Sequence, residues 1–318
     1  MCRVALIHRS LMNSMAAVAQ YIGQLRPLLS VSRPPFLALP VTLIALGAAA
    51  SVANTGFISV VRTGIALIGL ISLHVSVNAL NEAADYESGI DERTDATPFS
   101  GGSKTLPAGN IDPTTVYRLG YLTAAVGAII GVWFLVIIGP ILIPIYIVGG
   151  ASVLAYTEYL TKFGLGEVAA GLGLGGLPVI GAALVQSGEI SSIELLAAVP
   201  AFILTFNLLL LNEFPDISPD RYGGRANLIH RLGRVWGGRL YAVATVSVPI
   251  VIIIGVISNV FPRTALLALL GIVAAFRPVI WSIQTPKQRP PMAVLRNNVI
   301  FILSTNVLLA IGLILPII

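Results

Sequence analysis

Charge is what this chain has least of. Only 10% of its 318 residues are Asp, Glu, Lys or Arg, while 56% are hydrophobic; soluble domains carry about a quarter charged residues, so an ordinary water-soluble domain is excluded. Cysteine is nearly absent too. The single Cys2 forms no internal disulfide and rules out a cysteine-built metal site, so nothing implies an oxidising compartment. A net charge of +5 comes without a compact Lys/Arg arm interleaved with aromatics, which argues against nucleic acid as a partner. The first thirty residues lack the order of a cleaved signal. Their weakly apolar run, residues 11–25, is expected to lie as a helix in the membrane interface, within a cytoplasmic N-terminal segment 1–33.

What the chain does have is apolar length. About 20 apolar residues cross a hydrocarbon core of about 30 Å as a helix. Such stretches fall at 35–53, 63–85, 114–137, 140–157, 166–186, 192–212, 237–259, 264–282 and 298–318. The expected fold is all-α: a polytopic bundle of nine transmembrane helices, one domain over residues 1–318, in the lipid bilayer of the cell membrane. With the N-terminus cytoplasmic, seventeen of the nineteen basic residues fall inside and only Arg62 and Arg263 outside, as the positive-inside rule requires.

The acids are as unevenly placed. Nine of fourteen lie in two inner segments, with Glu82, Asp85, Glu87, Asp91, Glu92 and Asp95 in the first and Glu213, Asp216 and Asp220 in the second. Crowded carboxylates beside anionic lipid need a counter-cation, and Mg²⁺ typically shares one or two carboxylates with substrate phosphates. The segments echo each other as N-E-x-x-D, Asn81 to Asp85 and Asn212 to Asp216, which suggests an internal repeat of two helical halves facing one cavity. His74, Asn78, Asn81 and Asp85, spaced 4, 3 and 4, draw one polar stripe on a helix. Ser88-Gly89 is expected to end that helix in a left-handed turn that brings Asp91 back, and Pro215 and Pro219 to interrupt regular helix in the second segment. The loop from Pro98 to Pro107 offers glycine amides and Lys104 to an anion. Asp112-Pro113 reads as the cap and first turn of the third span, and the glycines of 164–181 as close helix packing.

At these residues the chain resembles the UbiA-type membrane prenyltransferases, whose signature pairs an N-x-x-x-D motif with a D-x-x-x-D motif on inner loops. Asn81 through Asp91, and Asn212 to Asp220 followed by Gly224 to Leu228, look most like the 1,4-dihydroxy-2-naphthoate prenyltransferases of menaquinone synthesis. The resemblance covers nearly the whole chain. It departs at Glu82, where Asp is common, at His74, where an amide often sits, and in the connection from Tyr156 to Glu167, which resembles the family's fourth-to-fifth helix connection but lacks the proline often found there.

The resemblance implies Mg²⁺ held by Asn81, Asp85 and Asp91 and by Asn212, Asp216 and Asp220, gripping an allylic polyprenyl diphosphate. It implies Lys104, Arg93, Arg221, Arg225 and Lys162 as cations on the leaving group, and Tyr156, Asn78 and His74 as substrate-binding residues. An aromatic acceptor then takes the prenyl group. Other acceptors in the class are 4-hydroxybenzoate, a glycerol phosphate lipid precursor and a tetrapyrrole. A membrane transporter is the rival from another class; no charged residue falls near the middle of any expected span, which weighs against it.

Overall fold

The computed structural model describes residue 23 and residues 25–317, and every regular element among them is helical. In chain order these are α1 (Pro34–Thr55), α2 (Val60–Glu87), one-turn α3 (Ile90–Arg93), α4 (Pro113–Ile138), α5 (Pro140–Leu154), α6 (Gly166–Ser187), α7 (Ser192–Asn212), short α8 (Ile217–Tyr222), α9 (Leu228–Ile257), α10 (Arg263–Gln284) and α11 (Met292–Ile314). Eight are long and apolar enough to cross a membrane; α5 is shorter. Its fifteen residues reach about 22 Å at 1.5 Å each, and a π-helical turn, Tyr156–Leu160, follows. Most of the expected interfacial helix over residues 11–25, with Arg3 and Arg9, lies outside the described residues.

The elements begin and end where local chemistry dictates. Asp112 caps α4 by accepting from the Thr115 amide at 2.9 Å, with Pro113 at the first helical position, as expected. The last span starts at Met292 rather than 298. Arg296 and Asn297 read as loop in sequence, yet they lie in the first two turns of this helix; just after them Asn298, the first residue of the expected span, is fully buried and accepts the Tyr241 hydroxyl at 2.9 Å. Similarly, α9 begins at Leu228 and bends at Gly233, whose φ of 76° is not helical.

Packing closes a ring. α1 lies against α2, α6, α7 and α11, while α9 joins α7 to α10 and α10 joins α11. The largest buried cluster runs through this ring, with Leu43, Leu46, Val179, Leu204, Ile252 and Phe301 among its members. α4 instead presents Leu122, Ile129 and Val136 outward, tolerable where the solvent is hydrocarbon. The glycines of α6 do bring helices together: a Cβ on Gly175 would stand 2.8 Å from the Ala201 carbonyl of α7.

Candidate active site

The polar stripe of α2 forms as its spacing predicts. Asn81 Nδ2 donates to Asp85 Oδ2 at 3.0 Å, one turn on. Beyond Glu87 the chain turns at Gly89, φ 74°, a left-handed conformation that glycine adopts without penalty. That turn starts α3 and places Asp91, 3% exposed, back beside the stripe. In the second segment α7 ends at Asn212, before Pro215. Asp216 starts the next turn, and the Asp220 amide donates to its carbonyl at 2.9 Å. Pro219 sits in the first turn of α8, where no intrahelical N–H bond is required.

Both segments open into one cavity of about 180 Å³ at the end of the bundle where α2 and α7 finish. The cavity brings together His74, Asn78, Asn81, Asp85, Asp91, Tyr156, Asn212, Asp216, Asp220 and Arg225, ten of the residues singled out by sequence. The other four cations stand elsewhere. Lys104 lies one layer behind, its Nζ donating to the Asp91 carbonyl. Arg93 stacks on Tyr222 with 3.7 Å to the ring centroid and donates to the Gly89 carbonyl. Arg221 and Lys162 are exposed, outside the cavity lining.

Arg225 is the cation at the centre. Its Nη2 donates to Asn81 Oδ1 at 2.7 Å and to Asp85 Oδ1, and its Nη1 lies 3.5 Å from Asp220 Oδ1, so one guanidinium joins both segments. Asn227 supports it by donating to Asp220 Oδ2 at 3.1 Å. Sequence reading passed over Arg33, which also lines the cavity and packs on Phe36; directly before Pro34 it reads as one more inner topology arginine. Glu213 was noted as an acid but given no role, and it too lines the wall. Glu82 does not face the cavity: it accepts from the Ser103 amide at 3.1 Å and from the Ser103 hydroxyl, fastening the glycine loop to α2. In that loop Gly102, φ 69°, approaches so closely that a Cβ would sit 2.6 Å from Asp91 Oδ1.

Burial sets the electrostatics. It pushes the Asp91 carboxyl up to about 7, with the charges of Asp85 and Glu82 adding to it. Asp216 is likewise pushed up to about 7 by burial and by Asp220. Burial raises Glu213 well above the ordinary carboxylate range, and Asp220 and Glu167 add to that. Although burial works against its charge, Arg225 is held above the usual arginine value by Asp85 and Asp220. Burial lowers Arg33, against the pull of Glu82 and Asp85.

The residues fit a hard divalent cation in chemistry. Asp91 Oδ2, Asp216 Oδ1, Asn212 Oδ1 and Glu213 Oε2 are buried oxygens with no hydrogen-bond partner among the described residues, all on cavity-lining residues. Such orphans cost about 1–3 kcal/mol each unless something satisfies them. Among the described residues no three acidic or histidine side chains already stand close enough to grip an ion, and the Arg225 guanidinium occupies the space between Asp85 and Asp220. An oxygen-only set of this kind suits Mg²⁺ shared with phosphate.

Residues 38–305 match the model of the UbiA prenyltransferase family, and the chain belongs to that family. The 1,4-dihydroxy-2-naphthoate octaprenyltransferase of Bacillus subtilis (strain 168) is 26% identical over 200 residues, which cover 60% of this chain and 61% of that one, so the match spans about three fifths of the relative. The fold is shared with a digeranylgeranylglyceryl phosphate synthase (TM-score 0.61, 15% identity, 91% of this chain and 97% of the other). It is shared equally with a UbiA homolog from Archaeoglobus fulgidus bound to GPP and Mg²⁺ (TM-score 0.60, 14% identity, 89% and 99%).

Proposed function

We propose that this UbiA-family chain transfers a polyprenyl group from an allylic polyprenyl diphosphate to an aromatic acceptor, 1,4-dihydroxy-2-naphthoate, with Mg²⁺ as cofactor. One observation carries the reading: two N-E-x-x-D segments, from α2 and α7, reach a single cavity with unpaired buried oxygens on both walls. Asn81, Asp85 and Asp91 hold the metal from one side, and Asn212, Asp216 and Asp220 from the other. When bound, Mg²⁺ neutralises the charge that builds on the diphosphate as it leaves.

The chain's own residues do the rest. Arg225 and Arg33, which line the cavity, and Lys104, whose ammonium lies behind Asp91, share the leaving group's charge in this proposal. Arg93, Arg221 and Lys162 contribute through the positive potential of the inner face. Leu39, Val77, Leu174, Leu208 and Leu209 give the cavity an apolar depth that keeps water from the allylic cation. A small cleft lined by Phe36, Phe99, Leu208 and Ile302 continues from it between α1, α7 and α11, and takes the polyprenyl tail toward lipid. The donor carbon–oxygen bond breaks with its electrons going to diphosphate, and the ring carbon bearing the carboxyl forms the new carbon–carbon bond. Loss of CO₂ then restores the aromatic ring. The proposal includes nine spans, with α5 and its π turn as the fourth, two repeated halves, and a cytoplasmic N-terminus in the cell membrane.

The name of the Bacillus relative supports the naphthoate acceptor. The glyceryl phosphate synthase of the same fold supports a second reading, prenylation of a glycerol phosphate. The test is a panel of both acceptors with purified protein, polyprenyl diphosphate and Mg²⁺, scored by mass spectrometry. A prenylated naphthol lacking the mass of CO₂ is expected; a product that keeps the carboxyl, or one formed from the glycerol phosphate alone, contradicts the naphthoate assignment.

A further inference from the structure

The two halves match beyond their acids. Seven residues before Asn81 stands His74, and seven before Asn212 stands Thr205, each about 10 Å deeper along its helix. Both line the cavity, His74 5% and Thr205 3% exposed. Each carries a buried polar atom that no hydrogen bond reaches among the described residues, His74 Nε2 and Thr205 Oγ1. The cavity wall also carries apolar Val77 of α2, Leu174 of α6, and Leu208 and Leu209 of α7.

Hydrogen-bond chemistry fixes the role of the histidine. Its Nδ1 lies 3.1 Å from the Leu70 carbonyl. A carbonyl only accepts, so Nδ1 carries the hydrogen and Nε2 of the neutral ring is a bare acceptor. Thr205 differs from an ordinary helical threonine, whose hydroxyl bonds the carbonyl one turn back; here the hydroxyl is without a partner among the described residues and its proton remains available. An unsatisfied acceptor from α2 and an unsatisfied hydroxyl from α7 cost stability. A ligand with one O–H and a second oxygen would satisfy both.

We propose that His74 Nε2 and Thr205 Oγ1 form the recognition subsite for the acceptor, selecting an arene with a ring hydroxyl that donates to His74 and a second oxygen that accepts from Thr205. The proposal rests on the prenyl-transfer reading and assigns the acceptor to the deep end of the cavity, with the diphosphate at the inner end.

The test compares the full-length wild type with His74→Leu, His74→Gln and Thr205→Val, using 1,4-dihydroxy-2-naphthoate and each of its mono-methyl ethers. His74→Leu and Thr205→Val are expected to lower kcat/KM for the acceptor about tenfold or more, while KM for the polyprenyl diphosphate stays within about twofold. His74→Gln, whose amide oxygen accepts, retains most activity and guards against a folding defect. The wild type turns over at least one ether about tenfold less well than the parent, and His74→Leu no longer separates the two. Wild-type acceptor kinetics in both His74→Leu and Thr205→Val, or equal losses for donor and acceptor, overturn the subsite. Asp216→Ala separates the failures: if it is inactive while the deep variants are normal, only this subsite falls. If it is active, or if the wild type prenylates no hydroxylated arene, the prenyl-transfer reading falls with it.

Discussion

Removing the Arg225 side chain by Arg225→Met should make the metal-free protein less stable and yet make it bind Mg²⁺ more tightly. The guanidinium contacts Asn81, Asp85 and Asp220, and the ion-pair side chains are only 13%, 11% and 4% exposed for Arg225, Asp85 and Asp220. That places the cluster near the buried limit, where breaking a pair costs about 3–5 kcal/mol, rather than among surface pairs worth about 0–1 kcal/mol. Asp220, already raised by burial, can take up a proton and relieve part of the strain, so about 3 kcal/mol is the working figure. For a chain of 318 residues that is about 4–5 °C in melting temperature. On the proposed metal site, Arg225 competes in the wild type with a divalent cation for the same carboxylates. Without it, saturating Mg²⁺ should restore more stability to the variant than it adds to the wild type, while turnover falls because the leaving group has lost a counter-charge. Thermal unfolding in detergent with and without Mg²⁺ gives the first comparison, and titration with Mg²⁺ the second. Equal Mg²⁺ stabilisation in both proteins, or weaker Mg²⁺ binding by Arg225→Met, would refute the view that guanidinium and metal share a place.

Asp85→Asn and Asp216→Asn should each lower kcat/KM with saturating acceptor by about 10²-fold or more, measured by product formation; a loss confined to one of them would leave only one segment in the site. Asp91 and Asp216, raised by burial to about 7, hold protons in the folded metal-free protein that the unfolded chain gives up near its ordinary 3.8. Metal-free stability therefore falls as pH rises through this window. Apparent Mg²⁺ affinity rises over the same window, by about tenfold per pH unit for each proton displaced, which calorimetry in buffers of different ionisation enthalpy would count; a pH-independent affinity contradicts the assignment. Gly102→Ala forces a Cβ to 2.6 Å from Asp91 Oδ1 at a positive φ, and should cost about 1 kcal/mol or more with raised KM for the diphosphate. Gly109→Ala, also at positive φ but with open space around it, should show the backbone strain without the kinetic effect.

Much of this site was legible in sequence because its determinants are local. The N-E-x-x-D echo, the Ser88-Gly89 turn and the proline-broken second segment depend on spacing within one turn or two, and the helices obey them. The destination of the cations was not legible, because it is set by loop conformation. Lys104, the favoured candidate, adopts φ 61° and sends its ammonium to a backbone carbonyl, whereas Arg225 is carried inward by bonds to Asp220 and from the Ala226 amide to the Thr161 carbonyl. Thr205 left no signal of its own in an apolar span, and only its offset from Asn212, matched to that of His74 from Asn81, could have marked it. The start of α11 was not legible either, because the polar pair Arg296 and Asn297 reads as loop although the helix already begins at Met292.

The central claim is that both acidic segments serve one metal-bound diphosphate. It is tested most directly by electron paramagnetic resonance of Mn²⁺ bound with a non-reactive polyprenyl thiodiphosphate, in the wild type, Asp85→Asn and Asp216→Asn. The account predicts a bound-Mn²⁺ signal that depends on the thiodiphosphate in the wild type and is lost in each single variant. A variant that keeps the full analogue-dependent signal would contradict it.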